Sequence, residues 1–244
     1  MAATTSTTTT AGKPTLLHLS NSQSQTILWL LEELEIPYDL KLIDREKSGP
    51  NKNRAPAVLK ETHPLGKSPQ LITASGRVVI ERSAITAYLI ETYDAAGRFK
   101  VSGADEDHDG LREQELVGFA EASFNLTALT AMMLHYTKVL SPFFVRPLVA
   151  AVSAMLHVGY LDKELDLQLR FMDGLLARGQ PYFLSDTDPT RVDFVMIFFV
   201  QTVHQSGVVN LAPYPNVLAW HDRCVARPAW KRGMEKGNGY NLAL

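Results

Sequence analysis

Strand signals are confined to the first 94 residues of this 244-residue chain, and from about residue 111 onward the apolar spacing is helical. The length allows one large domain or two modest ones, and this change of pattern divides it into two. Pro14 to Leu19 reads as a strand. Ile27, Leu28, Leu30, Leu31 and Leu34 then fall at helical spacing, and this helix ends before Pro37. Tyr38 to Ile43 reads as a second strand, which makes a right-handed βαβ unit with parallel strands. Asp44 to Ala55 is a polar loop and Pro56 to Thr62 a short helix. Pro69 to Thr73 and Arg77 to Ile80 flank the turn Ala74-Ser75-Gly76 as an antiparallel hairpin, and Ser83 to Tyr93 carries the next helix.

The order βαβ, α, ββα is thioredoxin-like. The expected organisation is a tail over 1–13, an α/β thioredoxin-like domain over 14–94, a charged linker over 95–110 and an all-helical, all-α domain over 111–244. Helices are expected over Leu111 to Tyr136, Asp162 to Arg178, Thr190 to Gln205 and Asn216 to Ala226, with a proline-broken segment reaching about Gly159. Thr190-x-x-Asp193 forms a capping box: the threonine caps the helix and the acid sits at its positive end.

Composition excludes several classes of function. Hydrophobic residues are 45% and charged residues 20%, as in ordinary globular proteins. The net charge is -2 with Lys and Arg dispersed, so nothing concentrates positive charge for a nucleic-acid backbone. The single cysteine, Cys224, cannot form an internal disulfide, and a cytoplasmic location is expected. Met1 to Gly12 is mostly Ala and Thr and reads as a disordered tail rather than a targeting segment. Val139 to Leu161 is apolar enough to be mistaken for a membrane span. Arg146 inside it would cost ~2.5–3.5 kcal/mol, and prolines 142 and 147 interrupt it, so a buried or dimer-facing helical region is expected.

The chain has no Gly-x-Gly-x-x-Gly, no Gly-Lys-Ser/Thr phosphate loop, no His-Glu-x-x-His and no Gly-x-Ser-x-Gly, and its seven histidines have no metal-ligand spacing. Dehydrogenase, ATPase, metalloenzyme and serine-hydrolase readings therefore lack support, and no metal is expected. Three other motifs stand in order. Ile27 to Leu34 forms the first helix, His63-Pro64-Leu65-Gly66-Lys67-Ser68-Pro69-Gln70-Leu71 opens the third strand, and Glu81-Arg82-Ser83-Ala84-Ile85 opens the helix after the hairpin. Together with Pro215 to Trp220 and Ala226 to Ala229 near the C-terminus, they resemble the glutathione transferases, closest to a fungal branch of the theta-like and nu-like group. The resemblance covers nearly the whole chain except the tail.

The resemblance implies glutathione as co-substrate, a small apolar electrophile as second substrate, and a homodimer. It implies that Ser68-Pro69 is the family's cis step, where the backbone of Ser68 pairs with the peptide backbone of glutathione as if adding a strand. It places Lys67 beside the ligand's glycine carboxylate, a role for which Lys41 competes. Glu81 would hold the γ-glutamyl ammonium group. The family has Ser after this glutamate. Arg82 departs from that pattern: its backbone N–H can bind the α-carboxylate at the helix start, while its guanidinium either joins in or points to solvent.

Such enzymes hold the thiol of glutathione, with a free pKa near ~8.5, as a thiolate. The group that does so is a donor at the end of the first strand or the start of the first helix. No Tyr precedes Tyr38, and Cys224 lies far away, so Ser22, Asn21 and Ser24 remain, in that order. Ser22-x-x-Gln25 also reads as a capping box. Phe119, Phe124, Met132, Tyr136 and Phe143 are candidates to line the electrophile pocket, although such stripes more often form core. Three functions fit: conjugation of glutathione to apolar electrophiles, with peroxide reduction beside it; non-catalytic ligand carriage on the same fold; and thiol transfer, against which the missing N-terminal cysteine counts.

Overall fold

The computed structural model describes residues 12–49, 52–101 and 109–239. The expected tail thus lies outside the described residues apart from Gly12 and Lys13, as does 102–108 of the expected linker.

A four-stranded sheet has the order β2-β1-β3-β4, built from β1 (Thr15–Leu19), β2 (Asp39–Ile43), β3 (Gln70–Ile72) and β4 (Val78–Ile80). β1 pairs in parallel with β2, Thr15 opposite Asp39 and Leu19 opposite Ile43. It pairs antiparallel with β3, which closes the hairpin with β4. The apolar residues of β1 explain its central place: Leu16, Leu17 and Leu19 are buried, and so is His18 between them. Helix α1 (Ser24–Leu34) connects β1 to β2, and ends at Glu35, whose left-handed φ of 53° turns the chain before Pro37. α2 (Leu59–Thr62) precedes β3, and α3 (Arg82–Tyr93) follows β4.

The remainder is helical. α4 (Gly110–Gly118), a π-helical turn (Phe119–Phe124) and α5 (Asn125–Leu140) form one continuous run, four residues longer at its end than the sequence pattern indicates. This run is long and apolar enough to cross a membrane, yet it buries Leu116, Ala120, Phe124, Ala128 and Ala131 against the rest of the protein. The apolar stretch from Val139 to Leu161 is broken at Ser141 and resolves into the end of α5, α6 (Arg146–Leu156) and a second π turn (His157–Leu161). α7 (Asp162–Leu176), α8 (Arg191–Gln205), α9 (Pro215–Ala226) and α10 (Pro228–Lys236) complete the chain. The sequence pattern, whose last expected helix ends at Ala226, does not indicate α10.

α8 is apolar on nearly all sides and lies at the centre, as such helices must. Its Phe194 ring sits 4.4 Å from Trp29 of α1 and 5.7 Å from Phe99, so one continuous core joins the sheet-bearing and helical parts. The Thr190–Asp193 capping box forms as expected. α1 is buried from Ser24 to Glu33, acids included. Those acids are answered from the other end of the chain: Arg227 makes a two-pronged ion pair with Glu33, and Arg232 and Lys236 of α10 bind Glu32.

Candidate active site

A cleft of about 970 Å³ opens where the C-terminal ends of β1 and α2–β3 meet α5 and α8. Of the residues expected at the site, Asn21, Ser22, Lys67, Ser68, Pro69, Glu81 and Arg82 all line it. Lys41 does not; it lies exposed on the outer strand β2, so Lys67 is the cation of the pair that the fold brings to the cleft.

The Ser68–Pro69 peptide is cis. Gly66 ahead of it adopts a φ of +57°, and a β-carbon there would meet the Lys60 side chain at 2.6 Å, so this bend requires glycine. The Ser68 hydroxyl accepts from the backbone N–H of Leu19 at 3.3 Å, which ties the bend to the end of β1. Opposite it, Glu81 caps α3 with φ 66° and ψ 122°. A non-glycine residue there stores on the order of 1–3 kcal/mol, and such strain concentrates at functional sites. Its carboxylate is exposed to the cleft and makes no ion pair among the described residues.

The serine cluster differs from the sequence expectation. α1 starts at Ser24 with Gln23 in the cap position and no side-chain cap, so the Ser22-x-x-Gln25 box does not form. The Ser22 hydroxyl instead donates to the Leu19 carbonyl at 2.8 Å, accepts from the Ser24 backbone N–H at 3.3 Å, and lies 2.8 Å from Ser24 Oγ. The Gln25 amide is left buried without a hydrogen-bond partner among the described residues. The tight turn wins because Ser22 folds back onto β1 before the helix begins. Ser22 is 8% exposed and Ser24 is fully buried. Of the two serines, only Ser22 lines the cleft. Asn21 is exposed beside it at φ 50°.

Arg45, read from sequence only as part of a polar loop, proves to be the staple of this turn. Its guanidinium donates to the carbonyls of Ser20 (2.9 Å), Asn21 (2.7 Å) and Asn53 (3.0 Å). Nothing local marks it, because its partners are backbone oxygens that only the fold brings near.

The Arg82 side chain does not point to solvent. It is buried, donates from Nε (3.2 Å) and Nη2 (2.9 Å) to Glu121 on the first π turn, and lies 4.5 Å from the centre of the Phe199 ring. It is an interdomain strut. Arg82→Ala is therefore expected to lower stability by ~2–4 kcal/mol, through the cavity and the stranded partner charge. Denaturant unfolding reads the loss.

Beyond the sheet, the cleft wall is apolar. Leu129 and Met132 of α5 and Phe198 and Phe199 of α8 line it. Of the five residues considered for the electrophile pocket, Met132 is in place. Phe124 is core, Phe119 packs on Phe124 and Phe171, Phe143 is 82% exposed, and Tyr136 does not line the cleft. No group of three His, Cys, Asp or Glu side chains comes together as a metal site among the described residues.

A cis-proline bend, a strained acidic helix cap and a hydroxyl at the end of β1, set in a thioredoxin-like sheet against an all-helical part, define a thiol-peptide-binding class of protein. The comparisons sharpen this. The model of the glutathione S-transferase N-terminal domain matches residues 22–92, and that of its C-terminal domain matches 135–228. Glutathione S-transferase 3 of Schizosaccharomyces pombe is 34% identical over 230 residues, 94% of this chain and 90% of the relative. A crystal structure of a glutathione S-transferase from Actinobacillus pleuropneumoniae superposes with a TM-score of 0.71 at 27% identity, covering 94% of each chain. Ure2p5 from Phanerochaete chrysosporium, crystallised with 1-(S-glutathionyl)-2,4-dinitrobenzene, shares the fold with a TM-score of 0.69 at 19% identity, over 93% of this chain and 95% of that one. The chain belongs to the glutathione S-transferase family.

Proposed function

We propose that this protein binds glutathione in the cleft, holds its sulfur as a thiolate, and adds it to apolar electrophiles; peroxides are a second class of acceptor. One observation carries the reading: Ser22 lines the cleft, and its hydroxyl lies 2.8 Å from the Leu19 carbonyl at the end of β1 and 3.5 Å from the Ser68 hydroxyl at the cis bend. Glutathione at neutral pH has two carboxylates, one ammonium, two peptide units and a thiol. The Ser68 backbone is matched to the peptide units, Glu81 to the ammonium, the Arg82 backbone N–H to the α-carboxylate and Lys67 to the glycine carboxylate. The apolar wall of α5 and α8 faces the second substrate. The protein supplies orientation and anion stabilisation rather than a covalent intermediate. The Arg82 guanidinium is engaged with Glu121, so the departure from the family's serine does not close the cleft.

We further propose the division at 14–94 and 111–244, membership of the fungal branch of theta-like and nu-like enzymes, a cytoplasmic location and a homodimer. The identity with the S. pombe protein supports the fungal part of that placement. The exposed apolar face around Leu140, Phe143, Phe144 and Leu148 supports self-association.

Ser22→Ala tests the mechanism. A hydrogen bond to a charged group contributes ~1.5–3 kcal/mol. Turnover of a chlorinated nitrobenzene at neutral pH is expected to fall by roughly 10- to 150-fold and to recover at alkaline pH, with glutathione affinity nearly intact. An unchanged pH–rate profile moves the role to Asn21.

A further inference from the structure

Behind Ser22 lies a buried polar chain that runs to the far end of the sequence. His18 on β1 is 1% exposed. Its Nδ1 is 2.9 Å from Ser24 Oγ, which is 2.8 Å from Ser22 Oγ. Its Nε2 is 3.1 Å from the carbonyl of Gly237, just past α10. A carbonyl can only accept, so Nε2 carries the proton. Burial holds the imidazole below its ordinary range, with the hydrogen bonds to Gly237 and Ser24 pulling the other way. With its proton on Nε2, the ring offers Nδ1 as an acceptor.

The consequences run outward. The Ser24 hydroxyl donates to Nδ1, which commits its only proton. The proton in the 2.8 Å contact with Ser22 is then Ser22's own, shared with the Leu19 carbonyl. Of Ser22's two lone pairs, one accepts from the Ser24 backbone N–H, and the other, on an oxygen 3.5 Å from the Ser68 hydroxyl, is left to accept a proton from the cleft.

The approach to Gly237 is built, not incidental. A β-carbon on Gly237 would fall 3.0 Å from His18 Nε2, 2.8 Å from the Gln25 amide and 3.0 Å from the Gly233 carbonyl. Its φ of -87° suits any residue, so closeness alone calls for glycine here.

We propose that His18 is the terminal acceptor of glutathione's thiol proton, reached through Ser22 and Ser24; this rests on the reading of Ser22 as the group that faces the sulfur. The S–H bond breaks, the sulfur keeps the electron pair, and its proton forms the hydroxyl of Ser22. The former Ser22 proton passes to Ser24 Oγ, and the former Ser24 proton to His18 Nδ1. Thiol and imidazole become thiolate and imidazolium. Every hydrogen bond in the chain now points toward the sulfur, and the opposite charges at its two ends offset the burial of each. After addition the proton returns by the same path to the adduct or to water in the cleft. His18 touches no substrate; it acts by position, at the far end of the chain.

His18→Asn separates this from a structural role, because the asparagine oxygen still accepts from Ser24 but takes up no proton. The expected result is a pH–kcat/KM profile moved up by about one pH unit, with activity at neutral pH down about tenfold or more and an unchanged KM for glutathione. A merely structural role would lower stability and weaken glutathione binding without moving the profile. Ser22→Ala is measured in parallel. If its profile moves and that of His18→Asn does not, the proton chain is overturned while the serine reading stands. If the Ser22→Ala profile does not move, both fall. Should His18→Asn fail to fold, nitrogen NMR of the wild-type histidines decides. Glutathione is expected to protonate Nδ1 of His18, and S-methylglutathione, which has no thiol proton, is not. An Nδ1 that stays bare with both overturns the proposal.

Discussion

Alanine in place of Glu81 is expected to abolish retention on a glutathione resin while leaving the protein folded. The carboxylate makes no ion pair among the described residues, so its loss strands no partner in the free protein. The backbone at φ 66° is no easier for alanine than for glutamate, so the strain stays the same in both. What disappears is the acid proposed to meet the ammonium of the γ-glutamyl group. Hydrogen bonds between charged groups contribute ~1.5–3 kcal/mol, a weakening of roughly 10- to 150-fold. Calorimetric titration with glutathione, beside thermal unfolding, reads both halves of the expectation. Glu81→Gln is expected to weaken binding nearly as much, because the charge rather than the shape is lost. Normal retention of Glu81→Ala on the resin would refute the assigned site.

Asp193→Ala is expected to be the most destabilising single change in the helical part, and to have no specific effect on glutathione affinity in whatever folded protein remains. Asp193 is fully buried and accepts from Thr190 N (2.7 Å), Thr190 Oγ1 (2.9 Å), Phe183 N (3.2 Å) and Trp220 Nε1 (2.7 Å). Burial pushes its carboxyl up, against the pull of these donors. Alanine leaves the donors buried with no acceptor, and each unsatisfied group costs ~1–3 kcal/mol. With water reaching some of them, a total of ~3–5 kcal/mol is expected, which is on the order of 10 °C in melting temperature for a chain of this size. Chemical denaturation checks it. A loss under about 1 kcal/mol would mean that another group takes over the donors.

This capping box was legible in four letters of sequence because all its geometry is local to one helix start. The same holds for the βαβ unit and the hairpin, whose apolar spacing and turn residues sit within short windows. The residues of the cleft were legible through motif order, with Glu81, Lys67 and the Ser68–Pro69 step each brought to the same opening. Failures came where local and distant partners competed. Ser22 and Gln25 have the spacing of a box, but Ser22 turns back to the strand it follows. Arg82 sits at a helix start, yet its partner Glu121 is 39 residues away on a π turn that no periodicity announces. Arg45 serves backbone carbonyls, which carry no sequence signature at all. His18 looks like one apolar-flanked histidine among seven, and its meaning depends on a glycine 219 residues later.

That dependence extends to the whole first helix. Glu32 and Glu33 are buried on α1, and their cations, Arg227, Arg232 and Lys236, stand about 200 positions further on. On a ribosome working at roughly 5–20 residues per second, some 10–40 seconds pass before those cations are made. Through that interval the nascent glutathione-binding half carries two acids that it has no means to neutralise, and His18 has no carbonyl to hold its tautomer. The half of the molecule that is synthesised first is thus the half whose chemistry matures last.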